Sequence, residues 1–218
     1  MSFYTKEQIA ATLDHAVLKP TATLVDVTFA CMLANNYKFA SVCVRPCDVK
    51  WAAGLTPVVS TVVGFPHGVN TTRSKVFEAQ AAVADGAKEL DMVMNYGRFL
   101  EGADVKVYAD IALVRESISN DIILKVILET CYLRPVDIQR ACLIASDAGA
   151  DYVKTSTGFG PRGATSQDII TMKAALIGTD VKIKASGGIE SYNDVARYLD
   201  LGCTRIGSSK WTELLPNE

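Results

Sequence analysis

The chain has 218 residues, 49% of them hydrophobic and 21% charged, with a formal net charge of −2 at pH 7. That composition belongs to a globular chain long enough to bury a substantial core, and excludes a disordered one. It offers no polybasic surface for nucleic acid or anionic lipid. No apolar run approaches the roughly 20 residues needed to cross a bilayer, and the opening "MSFYTKEQIAATLDH" lacks the basic flank and apolar core of a signal peptide. The expectation is a cytoplasmic protein without nucleic-acid or membrane partners. Its six cysteines, scattered through apolar segments, are expected to be free thiols. Cys43, Cys47, His15 and His67 do not have the spacing of a tetrahedral zinc site.

Two hydrophobic periods alternate along the chain. Short β-like runs come first at "TLDHAV", "FASVCV" and "PVVSTVVG". A helical pattern, "NTTRSKVFEAQAAVADG", then separates the third run from a fourth, "KELDMVMN". "GADVKVYADIALVRESIS" leads to "IILKVILET", "RPVDIQRACLIASDAG" to "ADYVKTS", and "TSQDIITMKAALIG" to "VKIKASG" and "CTRIG". The helical segments carry Asp, Ser, Thr or Pro starts and Gly stops. Eight strands alternating with helices, with no linker to divide them, predict one (β/α)₈ TIM barrel over residues 1–218. The competing fold, a doubly wound open sheet, would place G-x-G-x-x-G after its first strand, and none is there.

Within that architecture the charged strand residues are informative. Residues two apart share a strand face. In "KELDMVMN", Leu90, Met92 and Met94 form one face and Glu89, Asp91, Val93 and Asn95 the other. In "IILKVILET", Leu124, Val126 and Leu128 oppose Lys125, Ile127 and Glu129. The apolar faces belong under the helices, which turns the charged ones into the barrel. Lys154 and Lys184 then fall near the C-terminal ends of the next two strands, where barrel active sites are built. Asp91, Lys125 with Glu129, Lys154 and Lys184 should therefore share one small volume. A single buried lysine–carboxylate pair reads as a device for strand register; a cluster reads as a site, because buried charge is costly.

Two neighbouring lysines suit one chemistry in particular. At its ordinary pKa of about 10.4 a lysine is charged at neutral pH and cannot attack a carbonyl. A second ammonium about 6 Å away, at an effective dielectric near 20, costs the charged form roughly 2.8 kcal/mol. That is about two pKa units, and desolvation lowers the value further. A neutral amine can form a Schiff base, with a carboxylate such as Asp91 moving protons among the intermediates.

The stretches "DHAVLKP", "VVGFPHGVN", "ELDMVMNYG", "LKVILET", "VKTSTGF" with "GAT", "KASGGI" and "RIGSS" together resemble the deoxyribose-phosphate aldolase family, from about residue 10 to residue 210. The resemblance implies a class I aldolase needing no metal or other cofactor. Its substrates would be small molecules: 2-deoxy-D-ribose 5-phosphate cleaved reversibly to D-glyceraldehyde 3-phosphate and acetaldehyde. It also implies Lys154 as the Schiff-base nucleophile, Lys184 as the cation that depresses its pKa, and Asp91 as proton donor and acceptor. Lys125 would help to position the reacting hydroxyls. The chain departs from the family pattern at Ala16, where Thr is common, and at Lys210, where Gly commonly follows the two serines. A homo-oligomer is compatible with the sequence, which does not specify one.

The turns after the last two strands add a phosphate site. Gly187 and Gly188 after strand seven, and Ser208 and Ser209 after strand eight, offer backbone N–H groups and hydroxyls at the usual barrel phosphate position, at the start of a short helix. Gly158 is placed to add another backbone donor. His15 and His67 read as structural. Cys43 has two readings: a small buried hydrophobe, or an inward thiol beside the lysines, activated as thiolate. Two other functions stay open at this point. One is a phosphate-binding isomerase or synthase using Asp91 and Glu129 as acid and base. The other is a non-catalytic barrel that binds a phosphorylated metabolite or a protein.

Overall fold

The structure, a computed structural model, describes residues 3–215. All eight predicted strands form: β1 (Leu13–Val17), β2 (Ser41–Val44), β3 (Val59–Val63), β4 (Glu89–Val93), β5 (Ile123–Ile127), β6 (Tyr152–Lys154), β7 (Lys182–Ser186) and β8 (Arg205–Ser208). Each pairs in parallel with its sequence neighbour, and β8 returns to β1 to close the barrel. The helices are α1 (Lys6–Ala10), α2 (Leu24–Tyr37), α3 (Val49–Ala53), α4 (Thr72–Ala84), α5 (Tyr96–Leu100), α6 (Asp104–Glu116), α7 (Pro135–Asp147), α8 (Ser166–Ala175) and α9 (Tyr192–Asp200). Among the described residues none is long and apolar enough to cross a membrane.

Local sequence fixes where these helices begin. Thr23 accepts a hydrogen bond from the Asp26 backbone N–H while the Asp26 carboxylate accepts from the Thr23 N–H, and Thr165 and Asp168 repeat the arrangement. Each pair satisfies two of the donors that a helix start leaves unpaired. Pro135, lacking an N–H, opens α7. After β8 the described chain makes only a single 3₁₀ turn, Thr212–Leu214, where the sequence suggested a last short helix.

Strand alternation sorts the buried residues into two compartments. Outward-facing Val42, Val44, Leu90, Met92, Leu124, Val126, Val153 and Ile206 join Ala79, Ile111, Ile138, Cys142, Ile169 and Met172 of the helices in one apolar cluster. Full burial of each large aliphatic side chain there stabilises by about 1.5–3 kcal/mol. The inward residues stack in layers of four, each drawn from alternate strands. By register the floor is Ser41, Glu89, Tyr152 and Arg205, with Asp14, Ser60, Lys125 and Lys184 above it. Cys43, Asp91, Lys154 and Gly207 come next, and Ala16, Val62, Ile127 and Ser186 line the mouth. Barrel interiors are dominated by branched aliphatics; this one is filled with charge.

Candidate active site

Asp91, in the middle of β4, sits at the centre of that charge. Its Oδ1 accepts from Lys125 Nζ at 2.8 Å, and its Oδ2 accepts from both Lys154 Nζ and Lys184 Nζ at 2.7 Å. Two contacts of 2.7 Å to one oxygen place the two nitrogens no more than 5.4 Å apart. Lys184 also reaches Asp14 Oδ2 at 2.5 Å, and Lys125 reaches Glu89 at 2.7 Å and Asp14 at 3.5 Å. Arg205 closes the network from below, bonding Asp14 Oδ1 and, at 2.7 Å, Glu89. Gly207 makes room for it: a Cβ there would lie 3.2 Å from Lys184 Cε and 2.9 Å from Ser186 Cβ.

Counting the charges selects one amine. Three carboxylates, Asp14, Glu89 and Asp91, face four cations, Lys125, Lys154, Lys184 and Arg205. Lys125 contacts three carboxylates and Lys184 and Arg205 two each. Lys154 has only Asp91, on an oxygen it shares with Lys184. Burial pushes Lys154 below the ordinary lysine value; Asp91 opposes that and Lys184 adds to it. Lys184 is buried as well, but Asp14 and Asp91 hold it above the ordinary value, and Lys125 is held well above it by Asp91, Asp14 and Glu89. Asp91, despite its burial, is held well below the usual carboxylate range by the three ammoniums around it. Of the four cations Lys154 is the one whose charged form is least supported, and a lysine that loses its proton becomes a nucleophile toward carbonyl carbon.

A cavity of about 380 Å³ opens above these amines. Lys154, Lys184, Asp14, Cys43 and Ala16 line its base, and Gly158, Gly187, Gly188, Ser208 and Ser209 its rim. Gly187 and Gly188 adopt φ of 81° and 69°, left-handed values that glycine takes without strain. The amides of Gly187, Gly188 and Ser209 donate to nothing among the described residues. Lys19 adds a cation at the rim, and Lys210 a second that is paired with Glu190 at 2.9 Å. The loops after β6 and β7 meet where a Cβ on Gly163 would come within 2.0 Å of Gly187 O, and the Ala164 N–H donates to Ser186 O at 3.1 Å.

The sequence profile of the DeoC/LacD family aldolases matches residues 8–208 of this chain. The chain belongs to that family. A curated relative, the deoxyribose-phosphate aldolase of Caldanaerobacter subterraneus subsp. tengcongensis, is 46% identical over 213 residues, 95% of this chain and 92% of its own. That of Bacillus subtilis is 43% identical over 214 residues, 96% of each chain. Among solved structures, the tetrameric deoxyribose phosphate aldolase from Aeropyrum pernix superposes with a TM-score of 0.89 at 29% identity, covering 96% of this chain and 90% of that one.

On this DeoC/LacD barrel Lys154, Lys184 and Asp91 come together, but several neighbours differ from expectation. Lys125 lies beneath the cavity and is absent from its lining; its ammonium pairs with Asp91, Glu89 and Asp14, so it reaches the site through the network by holding Asp91. Glu129 is not in the cluster. Its backbone takes a left-handed φ of 55°, and its carboxylate accepts from the Thr157 N–H at 3.3 Å and from the Thr157 hydroxyl. The Ser208 hydroxyl donates to Ile189 O at 2.9 Å and accepts from the Lys210 N–H, so it fixes the rim. Cys43 faces inward, yet burial, followed by Asp91, raises its thiol pKa more than the lysines lower it, which keeps the thiol protonated. His15 faces outward against Phe39, pushed down to about 4 by burial, with a buried Nδ1 that has no partner. Asp14, Arg205, Lys19 and Gly163 are the members that the sequence reading did not assign. Among the described residues no group of three or more His, Cys, Asp or Glu is arranged to hold a metal ion.

Proposed function

We propose that this aldolase reversibly cleaves 2-deoxy-D-ribose 5-phosphate to D-glyceraldehyde 3-phosphate and acetaldehyde, through a Schiff base on Lys154. The observation that carries this reading is the pair of amines on one Asp91 oxygen, at the base of a cavity rimmed by glycine loops. In the cleavage direction, neutral Lys154 attacks C1 of the open-chain sugar to give a carbinolamine. Lys184, charged in the free enzyme, donates the proton that lets water leave and becomes the neutral amine. Asp91, held anionic by the ammoniums around it, accepts from both nitrogens and keeps them in place. The iminium then draws the electrons of the C2–C3 bond as the neutral Lys184 amine takes the C3 hydroxyl proton, which releases D-glyceraldehyde 3-phosphate and leaves the enamine. Protonation of the resulting enamine and hydrolysis release acetaldehyde.

The phosphate belongs at the rim. Free amides of Gly187, Gly188 and Ser209, with Gly158, Lys19 and Lys210 beside them, match an anion's need for donors and positive charge. Gly163 holds the two loops in register by backbone contact. An isomerase or synthase using Asp91 and Glu129 as its acid–base pair is disfavoured, because the cavity lining includes neither Glu129 nor an Asp91 free to take up a proton. The deciding experiment is borohydride reduction in the presence of acetaldehyde, followed by peptide mass spectrometry. An ethyl group on the Lys154 peptide is expected; an unmodified peptide overturns the assignment.

Two further expectations accompany this reading. Leu24, Val25, Phe29 and Met32 of α2 and Trp51 of α3 form an exposed apolar face that a second copy of the chain would cover. The Phe29→Lys, Met32→Lys double variant should sediment as a smaller species than wild type. The six free thiols fit a reducing compartment, the cytoplasm.

A further inference from the structure

Below the reacting amines, Arg205 and Glu89 form a buried pair that the steps above leave unused. The Glu89 carboxylate lies 2.7 Å from Lys125 Nζ and accepts from Arg205 Nη2 at 2.7 Å and Nη1 at 3.1 Å. Arg205 also grips Asp14 Oδ1, which leaves Oδ2 to Lys184 at 2.5 Å. Tyr152 covers the guanidinium, its ring centroid 5.9 Å away. The Glu89 side chain is 3% exposed and that of Arg205 13%, so solvent screens these charges weakly.

We propose that Arg205 and Glu89 are positioning residues that set the proton affinity of Lys154 from the barrel floor, by fixing how much of Asp14 and Lys125 is left for the lysine pair. The proposal rests on the reading of Lys154 as the nucleophile. Each strand's contribution is accounted for: Asp14 from β1, Cys43 from β2, Glu89 and Asp91 from β4 and Lys125 from β5. Tyr152 comes from β6, Lys184 from β7 and Arg205 from β8, while β3 supplies only the neutral Ser60. Lys19 and Lys210 face the cavity from its rim.

The two residues act with opposite sign. Removing the Glu89 charge leaves the cluster with two cations in excess and turns Lys125 onto Asp91, at 2.8 Å, and more weakly onto Asp14, at 3.5 Å. The Lys154 ammonium then loses part of its only counter-ion, and the amine stays neutral to lower pH. Removing the Arg205 charge leaves cations and carboxylates equal. Asp14 and Glu89 then draw Lys184 and Lys125 downward, Asp91 is released to Lys154, and the ammonium persists to higher pH. A unit charge roughly 10 Å away, at an effective dielectric near 20, moves such an equilibrium by about one pH unit. A floor that merely closed the barrel would alter melting temperature without displacing the pH profile.

The test measures the pH midpoint of acetaldehyde–borohydride trapping on Lys154, together with the acid limb of kcat/KM. Wild type is compared with Glu89→Gln, Arg205→Met and the double variant. The midpoint should fall by about one unit in Glu89→Gln, rise by about one unit in Arg205→Met, and return close to wild type in the double variant. Unmoved midpoints, or displacement of both single variants in the same direction, overturn the proposal while leaving the nucleophile intact. If Arg205→Met does not fold, the Glu89→Gln sign decides alone, and no movement or a rise overturns it. Failure to trap wild type at any pH removes the nucleophile assignment, and this proposal with it.

Discussion

The two faces of β4 carry opposite chemistry at adjacent residues. Leu90 and Met92 face outward and are wholly buried in the apolar cluster, while Glu89 and Asp91 face inward among ammoniums. The same division runs through β5, where Leu124 and Val126 back onto the helices and Lys125 points to the centre. The outer layer holds the barrel together, and the inner layer is free to be expensive. Buried charge of this density is tolerable because each ion is paired, and because the aliphatic shell offsets its desolvation.

Five substitutions, at four positions, break or sharpen this contrast. The largest effect is expected at Lys154→Arg, which keeps the charge but replaces the attacking amine with a guanidinium that stays protonated. Aldol cleavage and borohydride trapping should both vanish while the circular dichroism spectrum is retained. The companion variant Lys154→Met tests the cost of that amine. Burial holds the folded pKa below the unfolded value near 10.4, so unfolding takes up a proton between the two. Lys154→Met should therefore melt above wild type, most clearly below the folded pKa, with the gain fading as pH rises through about 10.4.

Next in size, Leu124→Ala cuts the outer layer only. It should destabilise by about 2–5 kcal/mol in urea titration, with kcat per folded molecule little changed. Lys184→Leu follows. With the second nitrogen within 5.4 Å of Lys154, its loss should raise the pKa of the nucleophile by about two units. Activity at neutral pH should then drop about a hundredfold and recover toward pH 9. An acid limb that does not move would assign Lys184 to proton transfer alone. The smallest effect is expected from Gly163→Ala, whose methyl group must displace the Gly187 backbone. KM for the phosphorylated sugar should rise severalfold, while kcat/KM for unphosphorylated deoxyribose stays within about twofold of wild type.

Much of this was legible in the sequence because strand alternation has a period of two and the charged residues kept to one phase of it. Asp91, Lys125, Lys154 and Lys184 stand out against valine, leucine and methionine neighbours for that reason. Asp14 and Arg205 did not, since "TLDHAV" and "CTRIG" mix polar residues into both phases and are too short to define a face. Glu129 was misplaced because alternation was carried past the end of β5 at Ile127, and the left-handed turn at residue 129 sends its carboxylate to Thr157 instead. The Ser208 hydroxyl is committed to the Ile189 carbonyl, a tertiary bond between the end of β8 and the loop after β7 that no local pattern encodes. The Cys43 thiol points inward, but pattern does not weigh burial and a carboxylate against two ammoniums.

Asp91 Oδ2, held by two amines at once, makes the barrel centre behave as a charged spring over a turnover. With Lys154 neutral, Asp14, Glu89 and Asp91 balance Lys125, Lys184 and Arg205, and the spring is slack. In the proposed reaction, iminium formation on Lys154 would return one positive unit to this buried, poorly screened space and compress it. Loss of that charge to the enamine releases it, so the wall that strips the proton from the free amine also favours the electron-rich carbon that must attack or be protonated next. Nucleophile activation at nitrogen and nucleophile formation at carbon are, in this barrel, two strokes of one electrostatic device.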